Sequence, residues 1–214
     1  MENMDDENRK SQSMSEGEQA RTTIPQISEL NYKWILPLLG AIGFGIGFAT
    51  SCALSSTVFN LAKNAFANIP GLSSVSPVVG LLKGLTLGSI GGAALGLGFK
   101  DKIQVVYFSL ASAIGFAIAF ALILAINPRT PSVGLIIGAL GGLSLGIAAP
   151  KGRFVAAFLL GLAGAIWFAF AFSYEADHYT GSCSAWNGWA GALGGAIFGL
   201  VLSWHKYTFD RIEN

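Results

Sequence analysis

The sequence predicts an all-α membrane protein, with six transmembrane helices forming three tandem glycine-rich helical hairpins. Three observations carry this. Hydrophobic residues fill 52% of the 214 positions and charged residues only 12%, about half the charged share of a soluble domain. Six apolar stretches follow one another, each near the ~20 residues a helix needs to cross ~30 Å of hydrocarbon. A glycine pattern recurs in alternate stretches.

Residues 1–33 hold seven acidic and four basic residues, leaving five acidic and nine basic for the rest of the chain. This segment reads as a disordered polar cytoplasmic tail. Its acidic start is unlike a signal peptide, so the first span is expected to act as an uncleaved signal-anchor.

The membrane domain, 34–204, contains spans at about 34–53, 78–99, 104–126, 132–149, 154–174 and 186–204, each boundary placed within roughly 2–4 residues. Helices are the required form, because lipid offers no partner to an unpaired backbone group. Pro77 and Pro131 open spans two and four, and Pro37 is expected in the first turn of span one. Pro128 and Pro150 follow the ends of spans three and four. Tyr32, Trp34, Tyr107, Trp204 and Tyr207 gather near one interface, and Tyr174, Tyr179, Trp186 and Trp189 near the other. A short cytoplasmic C-terminus, 205–214, completes the chain.

Orientation follows from the basic residues. With six spans, Arg9, Lys10, Arg21, Lys33, Lys100, Lys102, Lys151, Arg153, Lys206 and Arg211 share one side, against Lys63, Arg129 and Lys83 on the other. Ten against three places both termini in the cytoplasm of a plasma or inner membrane.

The repeats cover about 34–99, 104–149 and 154–204. Span two contains Gly88-Ser-Ile-Gly91-Gly92-Ala-Ala-Leu-Gly96, span four Gly138-Ala-Leu-Gly141-Gly142-Leu-Ser-Leu-Gly146, and span six Gly191-Ala-Leu-Gly194-Gly195-Ala-Ile-Phe-Gly199. Odd spans share another pattern: Gly40-Ala-Ile-Gly43-Phe44-Gly-Ile-Gly47-Phe48, Ser112-Ala-Ile-Gly-Phe116 and Gly164-Ala-Ile-Trp167-Phe168. The even-span glycines, and Gly40, Gly43 and Gly47 of span one, are expected to line one helix face each, while Gly45 points away. Strips without side chains let helix backbones approach closely, which is the source of cohesion available inside lipid. Trp167 replaces a glycine, so exact three-fold symmetry is expected to fail there.

The first hairpin carries an insertion. Val58, Phe59, Ala62, Phe66 and Ile69 follow helical spacing, which fits an outer amphipathic helix over 55–69 or an irregular loop. Two cysteines make no disulfide framework. Cys52 ends span one and Cys183 lies in the 5–6 loop, on the same side. A closed ring would bring them within disulfide reach, and an open row of hairpins would leave them apart.

The chemistry expected is sparse. Residues 40–48 resemble the glycine-rich first helix of the proteolipid hairpins in rotary ATPase rings. That family's ion transport needs a mid-membrane carboxylate on the second helix, and spans two, four and six have no Asp or Glu. The resemblance therefore implies packing and not activity. Lys83 lies shallowly in span two and can snorkel to the interface, or if buried can pair with Glu175 or Asp177. Glu175, Asp177, His178 and Cys183 read as a solvated loop, since no second histidine lies near. No catalytic, cofactor or metal site is expected. The reading is a non-enzymatic packing, assembly or accessory component acting through helix–helix contacts. A channel or facilitator for a small solute or ion is the alternative. Expected partners are the lipid bilayer and other membrane subunits or further copies of itself, without nucleic acid.

Overall fold

The computed structural model describes residues 25–66, 76–126, 132–178 and 185–212. These form six helices, α1 (Pro25–Phe66), α2 (Ser76–Leu97), α3 (Lys102–Ile126), α4 (Ser132–Ile147), α5 (Arg153–His178) and α6 (Ala185–Ile212). Stretches of α1, α2, α3 and α5 are long and apolar enough to cross a membrane. Helix α4 is apolar but has 16 residues, about 24 Å at ~1.5 Å per residue. Helix α6 is polar over its C-terminal turns.

Three boundaries differ from the sequence reading. Helix α1 begins at Pro25, inside the expected disordered tail, because proline's fixed φ suits a first turn. Pro37 consequently sits in the helix interior, where its missing N–H leaves the Lys33 carbonyl without its helical partner. The Ser203 hydroxyl of α6 donates to that carbonyl at 3.4 Å. At its other end α1 runs unbroken to Phe66, so residues 55–66 of the expected outer helix are its last turns and not a separate element. No Gly or Pro interrupts 49–66, and hydroxyls such as Thr50, Ser51 and Thr57 turn back onto carbonyls three or four residues earlier. Residues 67–69 lie outside the described residues. Helix α6 likewise continues through the expected short terminus to Ile212.

Each helix packs on the next in chain order, and α6 packs on α1, closing a ring. The most extensive seams are α2–α3, α4–α5 and α6–α1. Glycine explains why. A Cβ added to Gly84, Gly88, Gly92 or Gly96 would strike the α3 backbone at Phe116, Ser112, Phe108 and Val105 in turn. Gly134, Gly138, Gly142 and Gly146 meet Phe168, Gly164, Leu160 and Ala157 of α5 in the same way. Gly195 and Gly199 meet the carbonyls of Gly40 and Leu36, and Gly191 meets Phe44 and Phe48. Glycine every fourth residue makes a continuous groove into which the neighbouring backbone settles.

The glycines do not all share one face. Gly91 meets the Phe44 ring of α1, Gly141 the Phe116 ring of α3, and Gly194 the Trp167 indole of α5. Positions i, i+3, i+4 and i+8 cover about 140° of a helix at ~100° per residue, wide enough for two neighbours. In α1 the division recurs: Gly40 meets Gly195 of α6, whereas Gly43 and Gly47 meet Ala94 and Leu87 of α2. Gly45, expected to point away, is also against α6, where an added Cβ would lie a tight 3.3 Å from Ala192 Cβ.

The three glycine seams are not in the same register. Gly88 faces Ser112 and Gly138 faces Gly164, first position to first position of the two sequence patterns. At the closing seam Gly191 faces Phe44, and it is Gly195 that faces Gly40. The slip is four residues, about 6 Å along the axis.

The centre of the ring is aromatic. Phe44, Phe116 and Phe168, the same position of the odd-helix pattern, are fully buried, as is Phe198 of α6. Their rings form a circuit: Phe44 to Phe116 at 5.7 Å, Phe116 to Phe168 at 6.1 Å, Phe168 to Phe198 at 6.4 Å and Phe198 to Phe44 at 5.5 Å. Contacts of this kind add about 0.5–1.5 kcal/mol each beyond area burial. Leu95 and Leu145, which match Phe198 in the even pattern, are equally buried.

Candidate functional site at the basic end of the helices

Most residues singled out from sequence are packing glycines, and their places are those just described. Trp167 stands in the α5–α6 seam, the least extensive of the six. Its Nε1 donates to the Ala190 carbonyl at 2.9 Å while the ring covers Gly194. Equivalent positions hold Gly43 against Ala94 and Gly115 against Ser144, so the indole fills space that the other units close by approach. Lys83 is half-buried, with its ammonium 5.4 Å from the Phe120 ring centre. Cys52 is buried and disulfide-bonded; the other cysteine of the sequence, Cys183, lies outside the described residues. Helix α5 extends through His178, into the expected 5–6 loop.

The polar chemistry gathers where the α2–α3 turn, the α4–α5 turn and the last turns of α6 meet. Both turns are built alike. Helix α2 tightens into i to i+3 bonds, with Gly98 and Phe99 N–H groups donating to Leu95 and Gly96 carbonyls, and Lys100 takes a left-handed φ of 57°. The Asp101 carboxylate then caps α3, accepting from the Ile103 N–H at 3.0 Å. Helix α4 ends similarly on Ala148 and Ala149, and Gly152 supplies the left-handed residue at φ 54°. Gly152 is required twice over, because an added Cβ would also press on His205 and Phe209.

His205 locks α6 to this turn. It is 4% exposed, with Nε2 3.0 Å from the Lys151 carbonyl oxygen and its ring centre 4.5 Å from that of Phe209. A carbonyl only accepts, so Nε2 carries the proton and donates. Nearby, Lys151 pairs with Asp210 at 3.6 Å. Burial holds the Lys206 ammonium below its ordinary range, Asp210 opposes this, and Lys100 and Lys151 reinforce it.

Asp101, Lys151, His205, Lys206, Phe209 and Asp210 border a cleft of about 230 Å³ that also takes in Phe99, Gln104, Pro150 and Leu202. The Gln104 Oε1 is buried with no hydrogen-bond partner. The cleft thus brings basic, acidic and aromatic side chains from both turns and from α6 together. Sequence reading missed it by treating 205–214 as a plain terminus. The available signal was the spacing of His205, Lys206, Phe209 and Asp210, which puts one polar and one aromatic pair on successive turns. Comparison with protein-family models, with curated proteins and with solved structures finds no match.

Proposed function

We propose that this chain is an integral membrane protein of six spans, three tandem two-span units closed into a ring. It acts without catalysis, as a packing, assembly or accessory component whose working surfaces are helix faces. One observation carries the reading. Every helix turns large apolar side chains outward, including the short α4 and α6 with its polar C-terminal turns. Ile42 and Ile46, Leu81 and Leu85, Ile114 and Ile118, Leu135 and Leu143, Phe158 and Ile166, and Leu193 and Leu200 are all exposed. Water does not tolerate an apolar belt around a whole molecule, and hydrocarbon does. Glycine grooves on every even helix supply cohesion that does not depend on water. A channel along the ring axis finds less support, because Phe44, Phe116, Phe168 and Phe198 touch across it.

The basic residues orient the ring with the 98–101 and 148–152 turns and both termini in the cytoplasm. Reporters active only outside the cytoplasm, inserted after Lys151 and fused after Asn214, test the reading. Both are expected to be inactive, with activity from an insertion at 127–131. Activity at Lys151 would mean that α4 does not cross, and the six-span reading would fall.

A further inference from the structure

The basic end of the ring carries charge that helix packing does not use. Lys33 of α1, Lys100 of the α2–α3 turn, Lys102 opening α3, Arg153 opening α5 and Arg211 in the last turn of α6 are all exposed. Contacts between their elements gather them at one end. Ser203 of α6 reaches the Lys33 carbonyl, His205 reaches the Lys151 carbonyl, and the Lys206 ammonium lies 5.9 Å from the Phe99 ring centre. None of the five has an ion pair among the described residues. Their contacts are with neutral groups instead. Lys33 and Arg211 share the Tyr207 ring, 4.2 and 5.3 Å from its centre, and the Arg153 Nε donates to the Ala149 carbonyl at 3.2 Å. The ring face attracts each cation, but nothing in the shared arrangement offsets their mutual repulsion. Of the acids at this end, the Asp101 carboxylate caps α3 and Asp210 pairs with Lys151.

We propose that this exposed basic face is the docking surface for the chain's own acidic segment, residues 1–24, which lies outside the described residues. The segment holds Glu2, Asp5, Asp6, Glu7, Glu16 and Glu18 against Arg9, Lys10 and Arg21, so its charge is opposite to that of the face. Chain continuity delivers it to the right end. Helix α1 begins at Pro25, and about 12 Å of helix separates Pro25 from Lys33. Glu18, seven residues before Pro25, has a reach of up to ~24 Å, enough to return to Lys33. Glu7 has a reach of up to ~60 Å, enough to cross a ring whose neighbouring axes lie ~8–10 Å apart and meet Lys102 or Arg153. Exposed ion pairs are individually weak and screened by salt. Tethering compensates, because it holds the acidic groups at a high effective concentration beside the face. An acidic partner or an anionic surface then reaches the basic end only by displacing the segment. The proposal does not rest on the membrane reading, since both partners lie at or beyond the helix ends.

Lysine acetylation of the full chain in non-ionic detergent, read by mass spectrometry peptide by peptide, tests the proposal. The comparison is with a variant neutralised at all six acidic positions, Glu2→Gln, Asp5→Asn, Asp6→Asn, Glu7→Gln, Glu16→Gln and Glu18→Gln. At low salt Lys33, Lys100 and Lys102 of the wild type are expected to react about 2–5-fold more slowly than in the variant. At about 1 M salt, where the screening length falls to ~3 Å, the difference should vanish. Zero-length carboxyl–amine coupling of the wild type should join peptides from 1–24 to those carrying Lys100 or Lys102. In a mixture of isotope-labelled and unlabelled chains, each coupled product should be of one isotopic kind. Equal acetylation of wild type and variant at low salt overturns the proposal. So does protection that appears only when phosphatidylglycerol is added and is the same in the variant, which would make lipid headgroups the occupant. Coupled products of mixed isotopic kind overturn it as well, because the segment would then be docking on a second copy.

Discussion

The seams α2–α3, α4–α5 and α6–α1 and the alternate seams α1–α2, α3–α4 and α5–α6 draw on the same glycine-rich helices, yet join them by different means. In the first set a glycine sits on a neighbour's backbone, as Gly142 sits on the Leu160 carbonyl and Gly195 on that of Gly40. In the second set a glycine sits under a side chain: Gly91 under Phe44, Gly141 under Phe116, Gly194 under Trp167. A backbone carbonyl in a helix cannot move aside without breaking its own hydrogen bond, whereas a ring can rotate or shift. Glycine content alone therefore does not set the cost of a substitution. What the glycine faces sets it.

The largest effect should come where a big side chain is forced onto backbone. Gly142→Leu raises apolarity, yet it should destabilise the fold by about 3 kcal/mol or more through overlap with Leu160. Gly45→Leu, whose Cβ would meet the Ala192 methyl at a tight 3.3 Å rather than a backbone, should cost clearly less. Equal melting temperatures for the two variants in detergent would break the comparison.

Next comes the covalent tie. Cys52 is disulfide-bonded, and a bond to the sequence's other cysteine, Cys183, would close a loop of about 130 residues. Removing it by Cys52→Ala is expected to cost about 2–4 kcal/mol. Mass spectrometry of thiol-blocked, unreduced peptides should find the Cys52–Cys183 cross-link. Two separately alkylated cysteines would remove this closure.

The α5–α6 seam sharpens the contrast from its weak side. Trp167→Ala removes the bond to Ala190 and leaves a gap beside Gly194. In lipid the loss is mainly dispersion and one hydrogen bond, about 2 kcal/mol. Hydrogen exchange should rise in α5 and α6 more than in α2 and α3. A uniform rise would mean that the seams are not independent.

The smallest effect is electrostatic. Burial lowers the Lys206 pKa from its ordinary 10.5, so the folded chain releases this proton at lower pH than the unfolded chain. The penalty is full where both states are protonated and fades as pH rises through the lowered folded value towards 10.5. Melting temperature should therefore climb slightly over that window, and Lys206→Gln should flatten the climb. An unchanged slope in the variant would remove burial of Lys206 as its cause.

The sequence made the apolar stretches legible because hydropathy reports directly on what a helix can place in lipid. It could not place the helix ends, since hydrogen bonding continues where hydrophobicity stops: α1 runs through the polar hydroxyls of 50–57 to Phe66. Glycine spacing disclosed close-packing faces but not their partners. Periodicity fixes an angle around one axis, and whether Gly91 or Gly92 meets α1 or α3 depends on where the other axes lie. The cleft was the least legible feature, because Phe99, Lys151 and His205 are remote in sequence and meet only once the ring has formed.

The central claim is that, within the helices, glycine is required most stringently where it meets a neighbouring backbone. Two alanine variants on α6 test it with a single methyl group each. Gly195→Ala would drive its Cβ into the Gly40 carbonyl, while an added Cβ at Gly188 meets nothing within 4 Å. Thermal melting of the full chain in detergent should show Gly195→Ala severely destabilised, and Gly188→Ala unchanged or stabilised by up to ~1 kcal/mol through helix propensity. Equal melting temperatures, or a larger loss at Gly188, would contradict the account.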